Sequence, residues 1–226
     1  MPARLLPFAA LLVTGFLASV SAQVPVYYAV AHLAPADTAP ALGVYAGRYA
    51  TDGGAVEVVV RAGALRVIAH GAPVAAALAP APVEAAAAAI VAGWQEGDLA
   101  PALAAASPVD RAQAAADLAA SRAALVRARG AVRSARPAGT FRRTDGLRVT
   151  LVEVTFARGA EWLSLVWKAD GGLSTVTRGL GAADLGAARP AGHDAFTLGE
   201  VTLRFARGAD GRVSGLTADG RLTAER

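Results

Sequence analysis

Residues 44–70, VYAGRYATDGGAVEVVVRAGALRVIAH, decide the fold, and their period is two. Val44 to Tyr49 reads as a short strand, Asp52-Gly53-Gly54 as a turn, and Val56, Val58 and Val60 then alternate with Glu57 and Arg61. β-Branched residues at every second position set one side of a strand against a core and leave the other to water. Ala62-Gly63 turns the chain once more, into Leu65, Val67 and Ala69 with Arg66, Ile68 and His70 on the other face. Glycine and aspartate at the joints supply the backbone conformations that tight turns need. The reading is a meander of antiparallel hairpins.

The pattern changes beyond Pro80 and Pro82. Val83 to Glu96 is helical by composition, with Ile90 and Trp94 four apart on one face. Gly97 closes this helix, and Asp98 caps the next short helical turn. Ser107-Pro108-Val109-Asp110 has the form of a capping box, with proline where its missing N–H is harmless. A long helix follows, with Leu118 and Leu125 seven apart, and Gly130 stops it. The period then returns to two: Val152, Val154 and Phe156 alternate with Leu151, Glu153 and Thr155. Leu163, Leu165 and Trp167 alternate with Trp162, Ser164 and Val166, and Asp170-Gly171-Gly172 signals a hairpin. A Gly-, Ala- and Pro-rich joint over 179–192 leads to a last meander through Val201, Leu203, Phe205, Val213 to Leu216, and Leu222 to Ala224. Strands, helices and then antiparallel strands are an α+β order.

The N-terminus has its own character. Arg4, an apolar run from Leu5 to Leu17 and the small residues before Ala22 follow the order of an export signal. Cleavage after Ala22 is expected, which places the mature chain in the periplasm or outside the cell. The run is shorter than the roughly 20 apolar residues of a spanning helix, and no later stretch qualifies, so no membrane span is expected after the signal is removed. Residues 23–41 carry Pro25, Pro35 and Pro40 and read as an extended leader. The sequence has no cysteine, which excludes disulfides, thiolate metal sites and cysteine nucleophiles. The formal charge of +4 comes from arginine, Lys168 being the single lysine. So small an excess bears on solubility and names no partner.

Two separated segments are similar to the halves of one known module. Tyr45-Ala-Gly-Arg-Tyr49, Asp52-Gly53, Val56 to Val60, Leu65 and Leu78-Ala-Pro80 resemble the opening of the β-rich accessory domain that follows the catalytic domain in serine β-lactamase-related hydrolases. Phe196, Val201-Thr-Leu-Arg-Phe205, Asp210-Gly-Arg-Val-Ser-Gly-Leu216 and Arg226 resemble its end. The segment between is similar to the cone fold of nuclear transport factor 2 and ketosteroid isomerase, through Trp94-Gln-Glu-Gly-Asp98, Gly130-Ala-Val-Arg-Ser134, Thr155-Phe-Ala-Arg-Gly159 and Leu165-Val-Trp167. The resemblance implies a lipocalin-like, discontinuous β-rich module over 42–81 and 188–226, with a cone-like helix-plus-curved-sheet domain inserted over 82–187. The hydrolase has no counterpart: Ser-x-x-Lys and Gly-x-Ser-x-Gly motifs are absent.

Little chemistry can be placed on this frame. His32, His70 and His193 lie in three segments without a ligand-spaced neighbour, so no metal and no cofactor is expected. Glu153, then Glu96 and Asp98, are the carboxylates nearest a cone interior, but Glu153 alternates with apolar neighbours and reads as solvent-facing, and Asp98 reads as a cap. Trp94, Phe156, Trp162 and Trp167 either line an apolar ligand cavity or fill a core. Arg127, Arg129, Arg133, Arg136, Arg142 and Arg143 crowd one stretch and make either an anion-binding patch or a solvated surface. Nucleic acid is not an expected partner, since Phe141 alone interleaves these cations for stacking. The expected function is non-enzymatic: an exported binding or accessory protein that holds a small apolar ligand or an envelope protein. An isomerase or hydrolase using the inserted cavity, and a structural component of an envelope complex, are the alternatives.

Overall fold

The computed structural model describes residues 41–226 apart from 107, 109, 110 and 144, with the side chain of 113 also left aside. The expected export signal, almost all of the leader, His32, and three of the four capping-box residues lie outside this set.

Three strands open the chain: β1 (Gly47–Thr51), β2 (Gly54–Arg61) and β3 (Ala64–His70). β2 and β3 form the predicted hairpin, with Val56, Val58, Leu65, Val67 and Ala69 inward and Val60, expected beside them, exposed; the strand predicted over Val44–Tyr49 is a 3-10 turn over Leu42–Tyr45 followed by β1, because the buried Tyr45 packs on Phe196 and Phe205 instead of joining a ladder. Gly54 fits its turn because it alone accepts a φ of +144°, and because any Cβ there would stand 1.9 Å from the carbonyl oxygen of His70. Four helices follow: α1 (Ala72–Ala77), α2 (Ala85–Glu96), α3 (Ala100–Ala105) and α4 (Arg111–Arg129). Next come β4 (Val132–Arg142), β5 (Arg148–Phe156), β6 (Gly159–Trp167) and β7 (Leu173–Arg178), and finally β8 (Ala182–Gly192), β9 (Ala195–Leu198), β10 (Val201–Arg207), β11 (Val213–Ala218) and β12 (Leu222–Glu225).

The strands form two antiparallel assemblies. The order β1-β12-β11-β10-β9-β8-β3-β2 closes into an eight-stranded barrel, while β4-β5-β6-β7 is an open sheet. The barrel is therefore discontinuous in sequence. Its break has a simple geometry: β3 ends and β8 begins as neighbours, with His70 opposite Ala182, and Gly71 N–H bonds to Gly181 O at 3.4 Å. Residues 71–181 thus leave and re-enter where a hairpin turn would otherwise be, so the ladder is kept intact.

Two stretches differ from the sequence expectation. The joint predicted over 179–192 contains β8, an eleven-residue strand. Its inward residues are Ala183, Leu185 and Ala188, too small and too few to signal a strand, because Tyr49, Phe196 and Phe205 of β1, β9 and β10 already fill the interior. The arginine-rich stretch after Gly130 contains β4, which tolerates Pro137 because it is an edge strand with bulges at Val132/Ser134 and Pro137/Gly139.

The open sheet is buried on both faces. Val152, Val154, Phe156, Leu163, Leu165 and Trp167 meet Ala87, Ile90, Val91 and Trp94 of α2 and Leu118 and Leu125 of α4. These α2 positions follow the i, i+3, i+4, i+7 rule of a single helix face. Phe141, Val149, Leu151 and Val166 point the other way and join the barrel core. Leu151 and Val152 are adjacent and both buried, on opposite sides.

Candidate functional site

The helix-facing interior is filled around Trp94 and Phe156, while about 270 Å³ stays open between α4 and β7, bounded by Asp117, Leu118, Ser121 and residues 173–176. Trp94 and Phe156 meet edge to face with ring centroids 6.1 Å apart, and Trp167 donates its indole N–H to Thr150 Oγ1 at 2.9 Å. Thr150 Oγ1 also lies 2.9 Å from Thr140 Oγ1, so the buried hydroxyls and the indole satisfy one another. Among the described residues, the void between Trp94, Ile90, Leu118, Leu163 and Leu165 measures about 10 Å³, room for about one water. Trp162 does not share this space. It lies opposite Glu153 and packs half-buried against the barrel core, on the far side of the sheet from Trp94, Phe156 and Trp167. Glu153 accepts from Arg136 Nε at 2.8 Å and does not reach the helix-side core. Asp98 acts as read, accepting from Ala100 N–H at 2.8 Å.

Open space occurs at the barrel end beside Arg207 and Arg226, about 530 Å³, and where the sheet meets the barrel. A recess of about 420 Å³ is floored by Phe141, Val149, Val166 and Ser164, with Asp184 of β8 on its barrel side and Arg143 and Arg178 among its lining. Ser164 is buried, and its hydroxyl donates to Gly179 O at 2.9 Å, fixing the link between β7 and β8. Asp184 is turned to Arg66, whose Nη2 is 2.8 Å away, so its charge is spent outside the recess. Arg178 bonds Glu161 at 2.8 Å and Arg143 bonds Asp145 at 2.8 Å, both with more than two-fifths of their side chains exposed. The Arg143 pair is exposed on both sides, hence solvent-screened and weak, whereas Arg178 and Arg129 share the mostly buried Glu161 on the α4 face of the sheet.

The six arginines of the predicted patch are distributed. Arg129 shares Glu161 with Arg178, Arg136 holds Glu153, and Arg142 donates to Gly146 O at 3.0 Å. Arg127 sits at the end of α4, and Arg133 is exposed in the first bulge of β4. Register places Arg136 beside Glu153 on the barrel-side face and Arg142 beside Arg148 on the row of Thr140 and Thr150. Of the six, Arg143 alone reaches the recess.

The most perturbed groups lie elsewhere, and nothing local in the sequence announces them. At the barrel end away from α1, Asp194 accepts from Tyr45 OH at 2.7 Å and, two-pronged, from Arg207 Nε and Nη2 at 2.7 Å each. The Arg207 hydrogen bonds and the Tyr45 hydroxyl hold the Asp194 carboxyl at about 2. Burial, with the Asp194 hydrogen bond, raises the Tyr45 hydroxyl above its ordinary value, and the same carboxylate raises Arg207. Asp194 adopts φ +53° and its carbonyl accepts from Phe205 N–H at 2.8 Å. His193, whose Nδ1 is 3.1 Å from the carboxylate, is almost fully exposed. With Tyr45 packed on Phe196 and Phe205, the group is a latch that ties the chain before β1 to β9 and β10. His70 bonds Glu57 at 2.7 Å on the outer barrel wall. No cluster of three metal-ligating side chains occurs among the described residues, and no helix among them is long and apolar enough to cross a membrane.

Compared with family models, with curated proteins and with solved structures, the chain matches none of them.

Proposed function

We propose that this chain is an exported, non-enzymatic binding protein that engages a protein partner at the recess between the barrel and the open sheet. The single observation behind this reading is the recess itself. It is formed jointly by both assemblies, is floored by Phe141, Val149, Val166 and Ser164, and carries Arg143, whose pair with Asp145 is exposed on both sides and solvent-screened. In the same reading the closed barrel, β8 included, is the lipocalin-like accessory module, and the cone-like insert lies within residues 71–181, ending before the expected 187 because 182–187 belong to β8. Two features support that: the barrel is completed by strands from both ends of the chain, and the intervening helices pack on one face of an antiparallel meander.

An enzyme using the space at Trp94 is disfavoured by its volume of about 10 Å³ and by the position of Glu153 outside it. A small apolar ligand held there meets the same limit. Native mass spectrometry of the protein recovered from its own host tests the reading. A protein partner at fixed stoichiometry, lost in the Arg143→Ala variant, is expected. Recovery of the bare chain, or of a small molecule alone, would sink it.

A further inference from the structure

Three arginines meet at the barrel end away from α1. They surround the open space of about 530 Å³, which is bounded by Val44, Val213 and two glycines and has Arg207, Arg212 and Arg226 as its charged residues. Among the described residues no side-chain carboxylate lines it. Local structure brings each cation there. Arg207 stands at the bulge that ends β10, where Asp194 holds its Nε and Nη2 and Gly211 O accepts from its Nη1 at 2.8 Å. A bulge re-aims a side chain in this way. Arg212 leaves the following turn, and Asp210 Oδ1 accepts from its main-chain N–H at 2.9 Å. The other Asp210 oxygen is 3.8 Å from Arg212 Nε, with both side chains largely exposed. Arg226 follows β12 and reaches back to the chain before β1. Its Nη2 donates to Ala46 O at 2.7 Å, and its Nη1 to Val44 O at 3.4 Å and Val213 O at 3.3 Å. Gly47 makes room for this guanidinium, since a Cβ there would stand 2.9 Å from Arg226 Nε.

The charges around this space do not cancel. Asp194 neutralises Arg207, the exposed Asp210 offsets Arg212 only weakly, and Arg226 is held by main-chain carbonyls, with no side-chain carboxylate bonded to it among the described residues. Arg207 and Arg226 each spend at most three of five N–H groups on these bonds. Guanidinium groups with N–H groups to spare match the paired oxygens of a phosphate, and a concave surface lined by one sign of charge concentrates the opposite ion. With more than one guanidinium poorly neutralised, a doubly charged group fits better than a single carboxylate. Val44 adds an apolar contact, being 41% exposed and one of the two large hydrophobic side chains left bare among the described residues. We propose that this end of the barrel is an anion site that takes a phosphate monoester carrying an apolar group next to its phosphate. The site is separate from the recess at Arg143 and stands whether or not a protein binds there.

Isothermal titration of the full chain with phenyl phosphate tests it. Saturable binding of one equivalent is expected, weakening as salt is raised. Arg212→Ala removes a guanidinium whose side chain makes no hydrogen bond in the fold, so it should weaken binding about tenfold with the melting temperature unchanged. Val44→Glu sets a carboxylate in the recess and should abolish binding, while Val44→Gln, of the same shape, should keep it. Arg143→Ala should bind phenyl phosphate as the unaltered chain does, so failure of the protein-partner reading and failure of this site are told apart. Vesicles of equal parts phosphatidylcholine and phosphatidic acid identify the source. Sedimentation with them that phenyl phosphate competes away makes a lipid headgroup the bound form, and phenyl phosphate binding without sedimentation makes it a soluble monoester; either result supports the site. Absence of saturable binding, or binding that both Arg212→Ala and Val44→Glu leave intact, overturns it. Phenylacetate bound as tightly as phenyl phosphate would overturn the phosphate assignment.

Discussion

The barrel and the inserted sheet solve the same problem in opposite ways. Both must bury one row of side chains and satisfy every main-chain group. The barrel does so by closure: eight strands leave no edge, and its interior is packed with Tyr45, Tyr49, Phe196 and Phe205. Tyr49 OH bonds Tyr45 O at 2.6 Å, so even the buried hydroxyls are placed. The inserted sheet stays open, is covered by helices on one face and by the barrel on the other, and has two edges to manage. Closure makes the barrel a rigid support whose polar devices face inward or lock its end. Openness leaves the sheet with the recesses. The difference teaches that, in this chain, closure leaves the barrel interior filled, while the open sheet keeps recesses along both of its faces.

The largest test of that contrast is core truncation. Phe205→Ala in the barrel and Phe156→Ala against α2 should each lower stability by about 3–5 kcal/mol. Because Phe141, Val149, Leu151 and Val166 belong to the barrel core, either variant should shift one shared denaturant transition, read by both far-UV and near-UV circular dichroism. Two separated transitions would show that the assemblies are independent and would break the comparison.

The latch at Asp194 gives a pH signature specific to the barrel. Its folded-state value of about 2 lies below the ordinary carboxylate value of 3.8. The stabilisation is therefore complete above about pH 4 and is lost as pH falls toward 2. Asp194→Asn should flatten that part of the acid-denaturation curve. The raised Tyr45 value has the same sign at the other extreme, with stability lost as pH rises above 10.

Smaller effects are expected in the inserted sheet. Thr150→Val strips the buried partner from both Trp167 Nε1 and Thr140 Oγ1, at a cost of about 1–3 kcal/mol. Arg136→Ala breaks a pair whose arginine is largely exposed and should cost less than about 1 kcal/mol. A loss above that from Arg136→Ala, measured by urea unfolding, would mean that the barrel-side face is structural there and would weaken the claim that it is a working surface.

Legibility in the sequence followed the strength of local alternation. Residues 54–70 and 201–224 read correctly as hairpins because most inward positions carry Val, Leu or Phe and the joints carry Gly or Asp. Ile90 and Trp94 identified the buried face of α2, and Leu118 and Leu125 that of α4. β8 was hidden by its small residues, and β4 by Pro137 and its arginines, since both strands exist through the partners that neighbour them. Helix α1 was missed for a related reason. Ala72, Val74 and Ala75 are too few to show a period, and they hold a helix because they pack on the barrel core. The candidate recess was less legible still. Its floor comes from β4, β5 and β6, its wall from β8, and Arg143 and Arg178 stand 35 positions apart.

By itself the sequence determined the α+β class, the hairpins, the main helix faces and the absence of any disulfide, because these depend on interactions between residues a few positions apart or on composition alone. Tertiary structure decided that eight strands from both ends of the chain close into one barrel, that residues 71–181 enter at a single stem, and that Tyr45 meets Asp194 across 149 positions. It also decided that Trp162 faces away from Trp94, Phe156 and Trp167. Closure, shared cores and strand edges depend on which elements become neighbours in space, and no local period encodes that choice.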